Sequence, residues 1–421
     1  MDKLIIEGGR VLKGEVTISG AKNALLPIMA ATLLTDEPCI IENAPNLRDT
    51  HTMIRILCSL GKTVDFNKDV IKITSSGHSY YVADYKLVSV MRASFCVLGP
   101  LVAKLGKAKV SLPGGCVIGV RPVDLHLKGL TSLGAQLDME AGYIIAKAPK
   151  GLRGTHIYLG GNFGSSVLAT ANVMMAATLA RGITTIESAA CEPEIVDLAE
   201  FLNKMGACIR GAGTHYIQIE GKKQLRGAKH KIIPDRIEAG TFMIAGLITG
   251  GNIIIKNVIS EHLGAVIDKL SFMGAEIKKE NKDLIVGYKR YLKPAEIVTL
   301  PYPGFPTDMQ AQMMALLSVT EGISIITEKV YPDRFMHVAE LNRMGARIQR
   351  EGPHAIIQGV DNLCGAAVMA SDLRASASLV LAGLVAQGTT TVSRTYHLER
   401  GYENLENKLR NLGAVIYRQK E

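Results

Sequence analysis

Apolar stretches of helical length recur along the chain at 24–34, 167–180, 239–248, 309–319 and 375–386. Their spacing predicts one buried helix each. After each comes a glycine and a short β-branched run, as at 183–186, 253–255 and 389–392, which reads as a strand. An irregular loop then leads to an amphipathic helix, as at 195–205 and 404–412. A segment of alternating polarity such as 209–219 closes the series and predicts a hairpin. The same order repeats six times.

One short signature marks the period. A hydrophobic residue followed by glycine and, in five of six cases, alanine occurs at Leu60-Gly61-Lys62, Leu133-Gly134-Ala135, Met205-Gly206-Ala207, Met273-Gly274-Ala275, Met344-Gly345-Ala346 and Leu412-Gly413-Ala414. The intervals between these glycines are 73, 72, 68, 71 and 68 residues. A glycine directly after a helix suits the left-handed C′ position, where a side chain is strained. Six units of about 70 residues, helix alternating with strand, make an α/β protein. Three units per domain give two similar domains, 22–230 and 1–21 plus 231–421. The amino-terminal strand, 4–7, has no helix of its own before it and is assigned to the second domain, closing the chain on itself. A cleft between two such domains is the default ligand site.

Charge narrows the function. The 421 residues carry 48 Lys and Arg against 39 Asp and Glu, a net +9. That balance fits a nucleic-acid binder or an enzyme for small polyanions. The basic residues are dispersed, and the richest patch, 222–231, is interrupted by Gln, Leu and Gly. With no tryptophan for base stacking, the small anion is the better reading and nucleic acid is excluded as a partner. The seven cysteines are widely spaced with no Cys-x-x-Cys pair, so neither a zinc nor a redox site is predicted. The amino terminus lacks a long apolar core, and the longest apolar run is half a membrane span. The expected setting is therefore a reducing cytoplasm, without membrane insertion.

Where the units differ, chemistry is expected. Two positions collect charge. At the start of the opening helix stand Lys22 and Asn23, Arg92, Ser165 and Ser166, Glu238, Thr307 and Asp308, and Asp372 with Arg374. Helix amino termini attract anions, so an acidic or hydroxyl residue there reads first as a cap. Lys22, Arg92 and Arg374 oppose the local dipole and need an anion to face. In the loop before the second helix stand Arg48, Arg121, Arg334 and Arg400, where units three and four carry Glu192, Glu194, Glu261 and His262. Arginine grips carboxylate and phosphate oxygens two at a time, so such a set implies a carboxylate or phosphate ligand. Unit two adds the loop 113–124, Pro-Gly-Gly-Cys-Val-Ile-Gly-Val-Arg-Pro-Val-Asp, in which a nearby cation favours the Cys116 thiolate. Taken alone, that loop is equally an exposed turn with an inert cysteine.

Several motifs together carry a resemblance. Ser19-Gly-Ala-Lys-Asn-Ala24, Arg92-Ala-Ser94, the loop 113–126, Phe305-Pro-Thr-Asp-Met-Gln310, Asp372-Leu-Arg-Ala-Ser-Ala-Ser378 and Glu399-Arg-Gly-Tyr-Glu403 resemble the bacterial UDP-N-acetylglucosamine 1-carboxyvinyltransferases over the whole chain. The resemblance implies a two-domain inside-out α/β barrel, the enolpyruvyl transferase fold, with three units per domain. It implies transfer of the enolpyruvyl group of phosphoenolpyruvate to the 3′-hydroxyl of UDP-N-acetylglucosamine, with phosphate released by addition and elimination. This is the entry to peptidoglycan precursor synthesis, and no cofactor or metal is implied.

The resemblance also implies roles by position. Lys22, Arg121 and Arg400 match residues that hold phosphoenolpyruvate. Cys116 matches a loop cysteine that is alkylated by fosfomycin and credited with acid catalysis, product release and adduct formation. Asp308 matches the carboxylate at the sugar hydroxyl, as general base or relay member. Asn23 and Arg334 match sugar contacts; Pro122, Val123, Asp124 and Leu125 match the uridine segment. Ser166 and Val167 fall in the diphosphate and uridine region, and Arg92, Asp372 and Arg374 in the sugar and anion region.

Two places depart from the pattern. Gly164-Ser-Ser-Val-Leu-Ala-Thr170 has Gly164 where some members have lysine and Leu168 where they have glycine, and Cys96 stands where some have tryptophan. The alternatives are the related shikimate-pathway transferase, which lacks the Pro-Gly-Gly-Cys loop, and a non-catalytic UDP-sugar-binding paralogue, which would have lost Lys22, Cys116 or Asp308. Mass spectrometry after fosfomycin treatment is expected to show one adduct, on the peptide carrying Cys116. Label spread over the other six thiols would return Cys116 to an inert loop residue.

Overall fold

The computed structural model describes residues 2–114, 123–162, 164–288 and 290–420. These fall into two compact units, one formed by 2–19 with 234–420 and the other by 20–114 with 123–233. Each unit has its own hydrophobic core. Cys116, Arg121 and Pro122 lie outside the described residues.

The opening helices form because their residues are apolar on every face. Arg236–Ile248, Gln310–Ser318 and Leu373–Val385 have almost no exposed residue, and they pack on one another in the middle of the first unit. Lys22–Ala31, Leu98–Leu105 and Val167–Ala177 fill the second unit in the same way. A helix without a solvent face must be wrapped by other elements. Among the described residues, six four-stranded sheets, three per unit, provide the wrapping. Their strands alternate buried and exposed residues, as in Tyr216–Glu220, so one sheet face is core and the other is wet. The second helices are one-sided; Arg48–Ser59 buries only half of its residues.

The six repeat glycines do what the period implies. Gly61, Gly134, Gly206, Gly274, Gly345 and Gly413 all have φ between +92° and +108°, a region that costs any side chain. Each ends its second helix and turns the chain into the hairpin. A different demand acts at Gly221, where an added Cβ would lie 1.5 Å from the carbonyl oxygen of Ala180.

One element per repeat has no counterpart in the sequence reading. A strand of two to five residues precedes each opening helix: Lys13–Thr17, Val82–Ala83, His156–Tyr158, Lys229–Lys231, Glu296–Thr299 and Ala367–Met369. Each pairs in parallel with the strand after an opening helix. They are too short and too polar to show a period of two, so only the pairing defines them.

Two of these strands also tie distant repeats together. Lys13–Thr17 pairs with Asn252–Lys256 of repeat four, while Lys229–Lys231 pairs with Cys39–Glu42 of repeat one. The first strand, Asp2–Glu7, lies between Thr389–Ser393 and Val415–Lys420 and completes the last sheet. No helix among the described residues is long and apolar enough to cross a membrane.

Gly206→Ala adds a Cβ with nothing within 4 Å, so its cost is backbone strain alone, about 1–2 kcal/mol. Thermal unfolding should show a fall in Tm of roughly 2–8 °C for G206A and a larger fall for G221A. Equal losses would rule out the close carbonyl approach as the reason for Gly221.

Candidate functional site

The strongest charge cluster lies in the unit formed by 2–19 and 234–420. Asp308 sits in the short turn Thr307–Met309 that leads into the helix Gln310–Ser318. It does not cap that helix, contrary to the first reading of an acid at a helix start. Its carboxylate is gripped instead. Arg334 Nη1 donates to Oδ1 at 2.7 Å, and Arg374 donates to Oδ2 through Nη2 at 3.0 Å and Nε at 3.3 Å. Both arginine side chains are buried, while Asp308 keeps 28% of its side-chain surface open. The result is a carboxylate with two cations behind it and one free face.

The electrostatics follow from that geometry. Burial pushes the Asp308 carboxyl upward, but the charges of Arg374 and Arg334 outweigh it and hold the group well below the usual carboxylate range. Asp308 is therefore ionised at any working pH. Asp372, in contrast, is a cap: its Oδ1 accepts from the backbone N–H groups of Arg374 and Ala375 at 2.9 and 3.2 Å. That cap starts the helix that carries Arg374. The Arg374 guanidinium lies over the Tyr402 ring, 5.2 Å from its centroid, and its buried Nη1 has no partner among the described residues. His337 is buried nearby, and burial brings its imidazole down to about 4, so it is neutral. Arg400 ends the turn Thr395–Arg400, and burial together with its charge lowers the neighbouring His397.

The other unit holds the remaining described candidates. Lys22 opens its helix against the dipole, and the anion it faces is internal: Nζ lies 3.3 Å from Oδ2 of the buried Asp49. Asp49 sits in the first turn of Arg48–Ser59, where a negative charge is favoured. Asn23 follows Lys22, half-buried. Val123 precedes the helix Asp124–Ser132, with Asp124 exposed and Leu125 half-buried. Ser166 is an N-cap, its Oγ accepting from Ala169 N at 3.3 Å, and Val167 is the first residue of that helix.

Three of these segments meet at a side chain that the sequence reading passed over. Asn172 is fully buried. Its Nδ2 donates to Phe95 O at 3.2 Å and to His126 Nδ1 at 3.0 Å, and its Oδ1 accepts from Gly99 N at 2.6 Å. It thus joins the turn that Arg92 opens, the helix of Asp124 and Leu125, and the helix of Ser166 and Val167. Burial, helped by Arg92, takes His126 down to about 3 and keeps it neutral. Asn172 and Asp49 left little local trace, because each is defined by partners far away in the chain.

The departures noted from the sequence have structural reasons. Gly164 has φ +90°, which a lysine would adopt only with strain. Cys96 is buried, its thiol pushed up to about 12, and it donates to Leu168 O at 3.8 Å. That acceptor is the main-chain carbonyl of the other departing position. Among the described residues no group of three or more His, Cys, Asp or Glu could hold a metal ion.

Six sheets around buried helices, with Asp308 held by two arginines at one helix start, occur here in a chain that matches the carboxyvinyltransferase class. Residues 6–409 match the family profile of EPSP synthase (3-phosphoshikimate 1-carboxyvinyltransferase). Within that class the chain belongs to the UDP-N-acetylglucosamine 1-carboxyvinyltransferase family. It is 56% identical over 417 residues to UDP-N-acetylglucosamine 1-carboxyvinyltransferase 1 of Caldanaerobacter subterraneus subsp. tengcongensis, covering 99% of each chain. It is 54% identical to the enzyme of that name from Methylacidiphilum infernorum, again over 99% of both. Among solved structures, the enolpyruvyl transferase NikO from Streptomyces tendae superposes with a TM-score of 0.89 at 25% identity, covering 100% of this chain and 99% of that one. An EPSP synthase from Acinetobacter baumannii shares the fold, with a TM-score of 0.78 at 20% identity and full coverage of both chains.

Asp308→Asn removes the anion between two buried guanidiniums. For a partly open pair this should cost about 2 kcal/mol, a fall in Tm of roughly 4–8 °C. The folded carboxyl lies below its unfolded value of about 3.9, so its contribution is complete above that value and is lost as pH falls through the depressed one. Unfolding measured from pH 7 to pH 2 should show D308N and the parent converging in acid. A gap that widens as the pH falls would contradict the depressed carboxyl.

Proposed function

We propose that this protein transfers the enolpyruvyl group of phosphoenolpyruvate to the 3′-hydroxyl of UDP-N-acetylglucosamine, releasing phosphate. The observation that carries the reading is full-length identity above half to relatives of that name. In a cytoplasmic setting the reaction would supply a peptidoglycan precursor. Phosphoenolpyruvate is a small, highly charged anion, and we assign its binding to Lys22, Arg121 and Arg400. The sugar nucleotide is assigned to Asn23, Arg92, Pro122–Leu125, Ser166, Val167, Arg334, Asp372 and Arg374.

The chemistry follows from charge. The sugar oxygen attacks C2 of phosphoenolpyruvate while a proton is added at C3, giving a tetrahedral adduct. Loss of one proton from the C3 methyl group so formed, and of phosphate from C2, then restores the double bond. Cys116 is assigned to proton delivery. Asp308 accepts the hydrogen bond of the attacking hydroxyl. A carboxylate held well below its usual range by two arginines orients that hydroxyl and holds a proton poorly. It therefore acts as a relay member that passes the proton on.

The test is phosphate release from phosphoenolpyruvate with each of two acceptors. Release should require UDP-N-acetylglucosamine, and D308A should lower kcat by about 10²–10⁴-fold while release with shikimate 3-phosphate stays at background. Equal release with shikimate 3-phosphate would move the protein to the other branch of its class. No release with either acceptor would leave the non-catalytic reading.

A further inference from the structure

The strand Ile323–Glu328 ends on a carboxylate with no solvent exposure. An acidic side chain in that position is costly unless donors meet its lone pairs. Four do. Oε1 accepts from Thr299 Oγ1 at 2.6 Å and from the backbone N–H groups of Val330 and Tyr331, both at 2.9 Å. Oε2 accepts from Thr307 Oγ1 at 2.8 Å. Nothing in the proposed reaction uses Glu328, and it was not among the residues singled out from the sequence.

Its donors lead to the reacting carboxylate. A threonine hydroxyl has one proton, and Thr307 gives it to Glu328. The lone pairs that remain can only accept, and Arg334 Nη1 donates to them at 3.1 Å. The same Nη1 donates to Asp308 Oδ1 at 2.7 Å. Both hydrogens of that nitrogen are thereby assigned, and the guanidinium plane is set. Glu328 also holds the loop that brings Arg334 back, through Val330 N and Tyr331 N, and Arg334 N in turn donates to Tyr331 O at 2.9 Å. Arg334 is thus fixed at its backbone and at its head by one buried carboxylate.

We infer that Glu328 is a positioning residue: it orients Thr307 and, through it, the Arg334 guanidinium that holds Asp308 ready for the sugar hydroxyl. The inference rests on the proposed transfer to UDP-N-acetylglucosamine. Loss of the Glu328 acceptor lets Thr307 rotate its proton toward Arg334, which then leaves the Asp308 plane. A misplacement on that scale costs up to about 10²-fold in rate.

The experiment uses the full-length chain with E328Q, T307V, T307S and the double variant E328Q/T307V. E328Q and T307V should each lower kcat/KM for UDP-N-acetylglucosamine by about tenfold or more. KM for phosphoenolpyruvate should stay in place, T307S should retain the parental value, and the double variant should be no worse than the worse single one. A second readout is independent of turnover. The ¹³C carboxyl signal of Asp308, identified by its absence in D308N, should titrate at higher pH in T307V than in the parent and return in T307S.

An unchanged titration in T307V, additive losses in the double variant, or a T307S defect equal to T307V would overturn the inference. If E328Q fails to unfold cooperatively, T307V and T307S carry the test. If the parent releases no phosphate while the Asp308 signal moves as expected, the proposed function fails and the positioning role stands.

Discussion

Three helices with no solvent-facing side fill the core of each unit. A helix of that kind can offer charge to a ligand only at its ends, because its lateral positions are taken up by packing or, as at Asn172, by internal hydrogen bonds. Sheets and one-sided helices must therefore cover it, and the chemistry must move to its amino terminus. Lys22, Arg92, Ser166, Glu238, Asp308 and Arg374 all stand at or beside such starts. The backbone N–H groups exposed there favour anions, which makes these ends suited to a phosphate- and carboxylate-bearing ligand.

Placing charge at the rim of an apolar core has a cost, and in three cases a specific partner balances it. Lys22 is met by Asp49, and Glu238 by Lys408 at 2.6 Å. Asp308 is met by two arginines. The third arrangement differs from the others because its carboxylate keeps an open face while its cations do not. Buried ion pairs are poor sources of net stability. A group of this kind is better explained by what it offers a ligand than by what it adds to folding. Glu328 belongs to the same logic one step further back, since it uses backbone and hydroxyl donors to hold the loop of Arg334.

Repetition gives a way to see where function has altered the scaffold. The chain leaves the strand after the opening helix through a left-handed residue in four repeats, at Asn43, Ser188, Asn257 and Arg394. Repeats two and five do not. Repeat two continues into the Pro-Gly-Gly-Cys loop, and repeat five ends that strand on Glu328. The two places that abandon the common turn are the ones that carry the thiol assigned to proton delivery and the carboxylate that braces Asp308.

Much of this was legible in the chain itself. The six glycines, the apolar helices and the strands behind them come from local periodicity and turn chemistry, which act within a few residues. The same holds for the positions of Lys22, Arg92, Asp308 and Arg374, which were visible as charges at helix starts. What those charges face was not. The leading strands are defined only by pairing beyond their own helix, and two of them pair with a distant repeat: Lys13–Thr17 with Asn252–Lys256 and Lys229–Lys231 with Cys39–Glu42. Asp372 proved to be a cap and Asp308 did not, although both follow a hydroxyl residue and both open a helix. The difference lies in Arg374 reaching Asp308 across 66 positions of sequence. Asn172, Asp49 and Glu328 are ordinary residues until folding brings donors to them. Local preferences determined the helices and the longer strands of this protein, whereas its leading strands and its partnerships of charge were decided by tertiary contacts, because hydrogen bonds and Coulomb forces depend on distance in space and leave no period in the sequence.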